Sequence, residues 1–260
     1  MADRWLNVKS IRPKAAERLF CFPWSGGGSN VYATKWTAHF PPSLEVCGVR
    51  LPGRETRQSE RCYTDINKLI EDFCRCVQDR LREKPFAFWG HSMGALLAFE
   101  IAKYLESEYH INPTHLFVSG SYHPTLSSSP SYLSDLSDVR FLEAIKKMGG
   151  IPEAVLNDEG MMRFFLPLFR ADFALIDNYR KSLLGVDPFQ VSKVTCPITA
   201  FNGDKDVRQE RMQGWETFTK STFTLHGLRG GHFYLLDKDN EKTIAKEISK
   251  VLCEDASSSL

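Results

Sequence analysis

The sequence lacks the features of several specialised protein classes. No stretch approaches the run of about 18 consecutive apolar residues that a membrane-spanning helix needs. The first residues, Met1–Trp5, do not have the apolar core or the small-residue cleavage site of a secretory signal. Net charge is almost absent, because 33 Lys and Arg residues face 32 Asp and Glu residues, for a formal charge of +1. A nucleic-acid-binding protein would carry a basic stripe. We therefore expect no membrane span and no nucleic-acid partner.

Paired cysteines are also missing. The seven cysteines are scattered, no C-x-x-C pair occurs, and Cys74 and Cys76 do not have the spacing of zinc ligands. Reduced thiols in the cytosol are therefore expected, and neither a metal nor another cofactor is predicted. With 260 residues, of which 42% are hydrophobic, the chain can bury a sizeable core without disulfides. We expect one domain over residues 1–260.

Short apolar runs alternate with amphipathic stretches along most of the chain. Six runs predict buried strands: Leu19–Phe22, Leu44–Val49, Phe86–Trp89, Leu116–Val118, Ile198–Phe201 and Phe223–Leu225. Three stretches have helical spacing: Asp65–Leu81, with Thr64 or Asp65 as its N-cap, Ala95–Leu105 and Asn240–Leu252. This alternation is typical of a mostly parallel central sheet flanked by helices, so the predicted fold class is α/β.

One segment interrupts the alternation. Residues 122–184, here called the helical insertion, contain no convincing strand, and they include a dense apolar cluster between Met161 and Phe169. Lids over active sites are helical insertions of this kind between late strands of an α/β sheet. We therefore predict a lid, although the same apolar side chains would also pack the insertion onto the sheet.

The sharpest chemical signal is Gly90-His91-Ser92-Met93-Gly94, which lies between a predicted strand and a predicted helix. A G-x-S-x-G sequence in this position forms a strained turn that exposes the serine hydroxyl. Glycines allow neighbouring backbone to pass close to the turn. We therefore predict that Ser92 is a nucleophile rather than a serine in an ordinary turn.

A serine nucleophile needs a base, and on this kind of sheet the partners follow in the order serine, acid, histidine. His232 follows the last predicted strand, in the loop where the base is expected, whereas His226 lies within or at the end of that strand and is interpreted as structural. The acid is expected after the preceding strand, where Asp204 and Asp206 are two positions apart. We prefer Asp206, because an Asp beside a glycine often caps its own turn, but the spacing discriminates poorly.

An oxyanion hole needs two backbone N–H groups, one from the residue after the nucleophile and one from the loop after the first central strand. The first is Met93. For the second we prefer Ser25 in the loop Pro23–Gly28, with its neighbour Trp24 as the alternative. No Lys-Ser or Lys-Thr pair follows the glycines of this loop, which argues against a nucleotide-binding loop.

Five spaced motifs together resemble the type II thioesterase family. They are Leu19–Gly28, Arg50–Glu55, Gly90–Gly94, Leu166–Asp172 and Gly230–Phe233, and the resemblance extends from about Leu19 to Leu252. Within the family, the sequence is most similar to the branch that serves animal fatty acid synthase and yields medium-chain products. Bacterial members usually have histidine at the position of Trp24, which favours this branch.

The resemblance implies an α/β-hydrolase fold with Ser92 as nucleophile, His232 as base and Asp206 as acid. It implies a medium- to long-chain acyl thioester substrate on the phosphopantetheine arm of an acyl carrier protein, a transient partner that belongs to a fatty acid synthase. Two other reactions stay open: editing of misacylated carriers on a polyketide or peptide synthase, and oxygen-ester hydrolysis by a lipase or carboxylesterase. A non-enzymatic binding module is disfavoured, because the whole triad is present in the expected order. We expect a cytosolic monomer.

An uncharged acyl chain binds through buried apolar surface. We predict that Met161, Phe164 and Phe165 contribute to the acyl pocket, since methionine in particular adapts to chains of different length. A carrier protein is acidic, so Arg50, Arg54 and Arg57 are expected to contact it at the mouth of this pocket.

Overall fold

A seven-stranded sheet forms the centre of the computed structural model, which describes residues 2–125 and 132–254. The strands are β1 Leu6–Asn7, β2 Glu17–Phe22, β3 Leu44–Val49, β4 Phe86–His91, β5 Leu116–Ser119, β6 Ile198–Gly203 and β7 Phe223–Leu228. Their spatial order is β1-β3-β2-β4-β5-β6-β7, and all neighbours are parallel except β1 and β3. The predicted fold class is confirmed, and β2 to β7 contain all six predicted strands.

Helices flank the sheet. The α-helices of the described residues are α1 Ala2–Trp5, α2 Asn30–Thr34, α3 Ile66–Arg82, α4 Met93–Tyr104, α5 Asp138–Met148, α6 Glu153–Leu156, α7 Glu159–Ser182, α8 Gln209–Gln213 and α9 Lys238–Ser249. Short 3₁₀ turns cover Trp36–His39, Glu55–Arg57, Leu133–Asp135, Pro188–Gln190, Gly214–Phe218 and Tyr234–Leu236, and π-helical turns cover Leu105–Tyr109 and Lys250–Glu254. Within residues 2–125 and 132–254, no helix has both the length and the hydropathy needed to cross a membrane.

The central strands are buried on both faces. Every residue of β2, β3 and β4 is buried, as expected for parallel strands covered by helices on each side. Phe20 and Phe88 belong to the core that also contains apolar residues of α3 and α4, whereas Leu19 and Trp89 belong to the core that contains those of α9. Because β2 to β7 are parallel, their carboxyl ends meet at one edge of the sheet, which is where ligands bind in such folds.

Helix starts follow the capping chemistry of the sequence. The Asp65 carboxylate accepts hydrogen bonds from the N–H groups of Asn67 and Lys68, so Asp65, rather than Thr64, caps α3. Asp237 caps α9 in the same way, which starts this helix two residues before the predicted Asn240. Both aspartates satisfy N–H groups that have no partner inside the helix.

The helical insertion lies between β5 and β6. Its described part contains α5, α6 and α7 and no strand, and it has an apolar cluster of its own, built around Phe141, Ile145, Met162 and Phe169. Residues 126–131 of the predicted insertion and residues 1 and 255–260 of the predicted domain lie outside the described residues. These limits therefore stay predictions.

Candidate active site

Ser92 stands on a sharp turn between β4 and α4. Its backbone has φ 54° and ψ −116°, a conformation that is rare for residues with a side chain. A Cβ on Gly90 would lie 2.0 Å from the Gly94 carbonyl oxygen, and one on Gly94 would lie 2.2 Å from the Phe22 carbonyl oxygen. The tight packing of backbone on both sides explains why the turn needs glycine at these two positions.

His232 and Asp206 meet at the same edge of the sheet. His232 lies in the loop after β7, and its Nδ1 is 2.9 Å from Asp206 Oδ1 in the loop after β6. Asp204 instead accepts a hydrogen bond from the Gly230 N–H at 2.8 Å and holds the loop that leads to His232. With Nδ1 donating to the carboxylate, Nε2 of His232 is left as the proton acceptor. The structure thus brings Asp206, and not Asp204, to the predicted base.

Ser92 and His232 line the same cavity, but no hydrogen bond between their side chains is present in the described part of the chain. Hydrogen bonds of this kind are often long in unliganded enzymes and shorten when the substrate binds. The arrangement therefore has the three residue types of a serine hydrolase in their usual order, with the nucleophile and the base at one cavity.

His91 lies buried behind His232, with ring centroids 4.9 Å apart. Its Nδ1 is hydrogen bonded to Ser119 Oγ at 2.8 Å, and Ser119 Oγ is in turn 2.5 Å from the Tyr234 hydroxyl. Burial lowers the pKa of His91 well below its ordinary value, and the neighbouring His232 lowers it further. A neutral His91 is thus part of the wall behind the base, a role that sequence spacing did not indicate.

The two predicted oxyanion donors lie beside the nucleophile. Met93 is the first residue of α4, so its N–H has no acceptor within the helix. Ser25 belongs to the loop after β2 and lines the cavity together with Ser92 and Met93. The Trp24 carbonyl accepts a hydrogen bond from the Gly27 N–H at 2.8 Å, which closes the turn around Ser25.

An apolar cavity of about 240 Å³ opens at Ser92. One wall is a face of α7 that carries Phe165, Phe169 and Phe173 at four-residue spacing. Part of the remaining wall comes from the loop between α5 and α6, including Ile151. The cavity is therefore a narrow, mainly hydrophobic chamber beside the nucleophile.

Only part of the predicted acyl pocket lies at this cavity. Phe165 lines it, but Met161 is 41% exposed and Phe164 is 58% exposed. Phe164 contributes to a separate surface groove. Helical geometry explains Phe164, which lies about 100° around α7 from Phe165. Met161 continues the four-residue series but belongs to the first turn of α7, outside the cavity lining. The expectation for Met161 and Phe164 is thereby corrected.

A second, more polar compartment of about 430 Å³ also opens at Ser92 and His232. Asp177 and Arg180 of α7 line it, and the Arg180 guanidinium lies 3.7 Å from the centre of the Tyr122 ring. Burial lowers the pKa of Arg180 to about 9. Ser92 therefore lines both the apolar cavity and this more polar compartment. Over residues 2–125 and 132–254, no three or more His, Cys, Asp or Glu side chains are grouped as metal ligands.

The three arginines predicted to contact a carrier protein are buried or half-buried in the structure. Arg54 and Arg57 are only 6% and 5% exposed, and Arg50 is half-buried beside Glu55. Arg57 pairs with Glu60, and Arg54 pairs with Asp172. Nearby carboxylates thus hold these guanidinium groups within the protein, so this expectation is wrong for Arg54 and Arg57.

Known proteins resemble this chain over almost its whole length. Residues 17–252 match the thioesterase domain family. The gramicidin S biosynthesis protein GrsT of Aneurinibacillus migulanus is 36% identical over 254 residues, which cover 96% of each chain. The medium-chain S-acyl fatty acid synthase thioesterase of Rattus norvegicus is 35% identical over 257 residues, which cover 96% of this chain and 93% of that protein.

A solved structure shows the same fold. The type II thioesterase BorB from the borrelidin biosynthetic cluster superposes with a TM-score of 0.80 at 30% identity, over 96% of this chain and 97% of that one. Bacterial and animal relatives are almost equally similar, so sequence identity does not place the chain in the animal branch. The family match favours thioesters over oxygen esters as substrates. The chain therefore belongs to the type II thioesterase family and is a serine hydrolase that cleaves thioesters.

Proposed function

We propose that the protein hydrolyses medium- to long-chain acyl thioesters on the phosphopantetheine arm of an acyl carrier protein and so releases free fatty acid from a fatty acid synthase. The observation that carries this proposal is the apolar cavity beside Ser92, walled by the aromatic face of α7. Each CH₂ group that an acyl chain buries contributes about 0.8 kcal/mol. In this proposal the helical insertion acts as a lid over the apolar cavity, which holds the acyl chain.

The first half of the reaction forms an acyl-enzyme. Ser92 Oγ attacks the thioester carbonyl carbon as its proton passes to His232 Nε2, and Asp206 stabilises the resulting imidazolium through Nδ1–H. The carbonyl oxygen becomes negatively charged and accepts hydrogen bonds from the N–H groups of Met93 and Ser25. The C–S bond then breaks, and the departing thiolate takes the proton from His232.

The second half returns the enzyme to its starting state. Water gives a proton to His232 and attacks the acyl carbon, and the ester bond to Ser92 breaks as the proton returns to Oγ. The fatty acid leaves from the apolar cavity. The pantetheine arm carries amide groups and suits the more polar compartment, where Asp177 and Arg180 offer hydrogen-bonding groups.

The pH dependence should report the histidine base. We expect kcat/KM for a soluble acyl thioester to rise with pH to a plateau, because only a neutral imidazole accepts the Ser92 proton. His91 should add no second step near neutral pH, since burial lowers its pKa well below the ordinary value. Initial rates from about pH 5 to 8.5 at constant ionic strength test this. A flat profile would argue against a histidine base, and a second step would show that His91 titrates.

Chain-length preference should depend on the inner face of α7. Phe165→Ala enlarges the acyl cavity, so we expect preference to shift toward longer chains while turnover of an acetyl thioester changes little. Phe164→Ala is the matched control, because this neighbouring ring is exposed. Both variants are assayed with acyl thioesters of increasing length. Equal profiles for the two variants would place the acyl chain elsewhere.

A working fatty acid synthase tests the physiological reaction. Addition of the protein is expected to release free fatty acids, including medium-chain products, whereas addition of the Ser92→Ala variant should leave the product spectrum unchanged. Editing is the second candidate, supported by the 36% identical gramicidin S biosynthesis protein. It would be favoured if the protein left synthase products unchanged but cleared acetyl groups from the carrier domains of a peptide synthase. A cytosolic location suits both functions and is supported by the seven free cysteines.

A further inference from the structure

Three separate segments meet at one buried carboxylate behind the active site. Asp172 of α7 accepts hydrogen bonds from Arg54 Nη1 and Nη2 at 2.9 and 2.6 Å, and its Oδ2 also accepts one from the Gly26 N–H at 2.7 Å. Arg54 Nη1 also donates to the Gly27 carbonyl at 2.9 Å. Asp172 is 2% exposed and Arg54 is 6% exposed. The Arg54–Asp172 pair thus contacts the backbone of the loop that contains Ser25.

We infer that the Arg54–Asp172 pair positions the Ser25 N–H for the oxyanion, an inference that rests on the proposed function. The peptide before Ser25 is held by the hydrogen bond from the Gly27 N–H to the Trp24 carbonyl, and the peptide after it by the Gly26 N–H on Asp172. The Ser25 N–H itself has no hydrogen-bond partner among the residues that the structure describes. It is therefore fixed in orientation and free to bind the oxyanion.

A fixed N–H dipole is worth more to the transition state than a mobile one, because it needs no reorganisation as charge develops. A buried ion pair is by itself weak evidence for stability, since apolar side chains of similar size often serve as well. Here the ion pair has a second role, because Asp172 accepts a hydrogen bond from the Gly26 N–H and Arg54 donates one to the Gly27 carbonyl. Apolar replacements would leave both of those groups without partners.

The same contacts connect the loop that contains Ser25 to the wall of the apolar cavity. Asp172 lies on α7 between Phe169 and Phe173, which both line the apolar cavity. Gly26 has φ +76°, and a Cβ there would lie 2.0 Å from the Phe169 ring. The helix that encloses the acyl chain therefore also rests on the loop that binds the oxyanion, so Asp172 is a positioning residue for the reaction.

Asp172→Asn tests the inference, because it keeps the size of the side chain and removes its charge. We expect kcat for a decanoyl thioester to fall about tenfold to a hundredfold, as for small misplacements of catalytic groups, with KM changed less than about threefold. Arg54→Lys keeps the charge but loses the paired geometry, and it should show a smaller loss of the same kind. Asp138→Asn is the control, since Asp138 pairs with Arg170 of α7 at the surface and does not contact the loop.

Two inhibitors separate positioning from a general structural effect. A decyl trifluoromethyl ketone, which forms a tetrahedral adduct with the serine, should lose affinity in parallel with kcat/KM, whereas a decanoyl amide that mimics only the ground state should bind Asp172→Asn as it binds the parent protein. Equal weakening of both inhibitors, or unchanged kcat, would overturn the inference; if Asp172→Asn does not fold, Arg54→Lys gives the same readout. Ser92→Ala in the same assays tests the proposed function separately, because activity retained there would disprove the catalytic site itself.

Discussion

Replacement of Ser92 or His232 by Ala should lower kcat by roughly 10⁴- to 10⁶-fold, as in serine hydrolases whose triad members act as a unit. Without Ser92 Oγ no acyl-enzyme can form, and without the His232 imidazole the serine hydroxyl is a weak nucleophile. Hydrolysis of a decanoyl thioester measures the loss. Labelling with a fluorophosphonate should disappear in Ser92→Ala and become very slow in His232→Ala.

His226→Ala is the matched control for the base. His226 lies in β7, where it stacks on Phe201 with ring centroids 5.1 Å apart, and it does not line either compartment beside Ser92. We expect this variant to keep most of its activity. Thermal unfolding of each variant checks that the fold is intact. A loss in His226→Ala as large as that in His232→Ala would mean that the base is misassigned.

The sheet could be predicted because its strands are short apolar runs bounded by turn residues. All six predicted strands are present, and β3 has its predicted ends. The missed strand is β1, Leu6–Asn7, which pairs antiparallel with β3 at the edge of the sheet. Two residues are too few to show a periodicity, so only the tertiary contact with β3 identifies this strand.

The residues at the catalytic edge could be predicted because the order of strands and loops fixes their place. The residues around them could not, since their partners are distant in sequence. Arg54 and Asp172 are 118 positions apart, and nothing near Arg54 shows that a carboxylate from α7 would bury it. The prediction for Met161 and Phe164 failed for a different reason. Composition identified an apolar region, but the direction of each side chain on α7 and the extent of the cavity along the helix decide which residues line it.

Asp206→Asn should lower kcat by roughly 10³- to 10⁴-fold, because an amide in place of the carboxylate favours the wrong tautomer of His232 and no longer stabilises its charged form. The effect should be direct, since Asp206 Oδ1 is 2.9 Å from His232 Nδ1 and Oδ2 is buried without a hydrogen-bond partner in the described part of the protein. The His232 imidazole is thus the main hydrogen-bond partner of the Asp206 carboxylate. Steady-state hydrolysis of a decanoyl thioester gives kcat and KM for the variant.

Asp204→Asn provides the comparison that separates the two aspartates. Asp204 Oδ1 accepts the Gly230 N–H at 2.8 Å, and an asparagine carbonyl oxygen can accept the same hydrogen bond. Asp204 is also exposed, so loss of its charge should change activity only slightly. The ratio of the two kcat values is therefore expected to exceed about a hundredfold. If Asp204→Asn were the more damaging variant, the carboxylate that serves His232 during turnover would be Asp204, and the loop would have to rearrange when substrate binds.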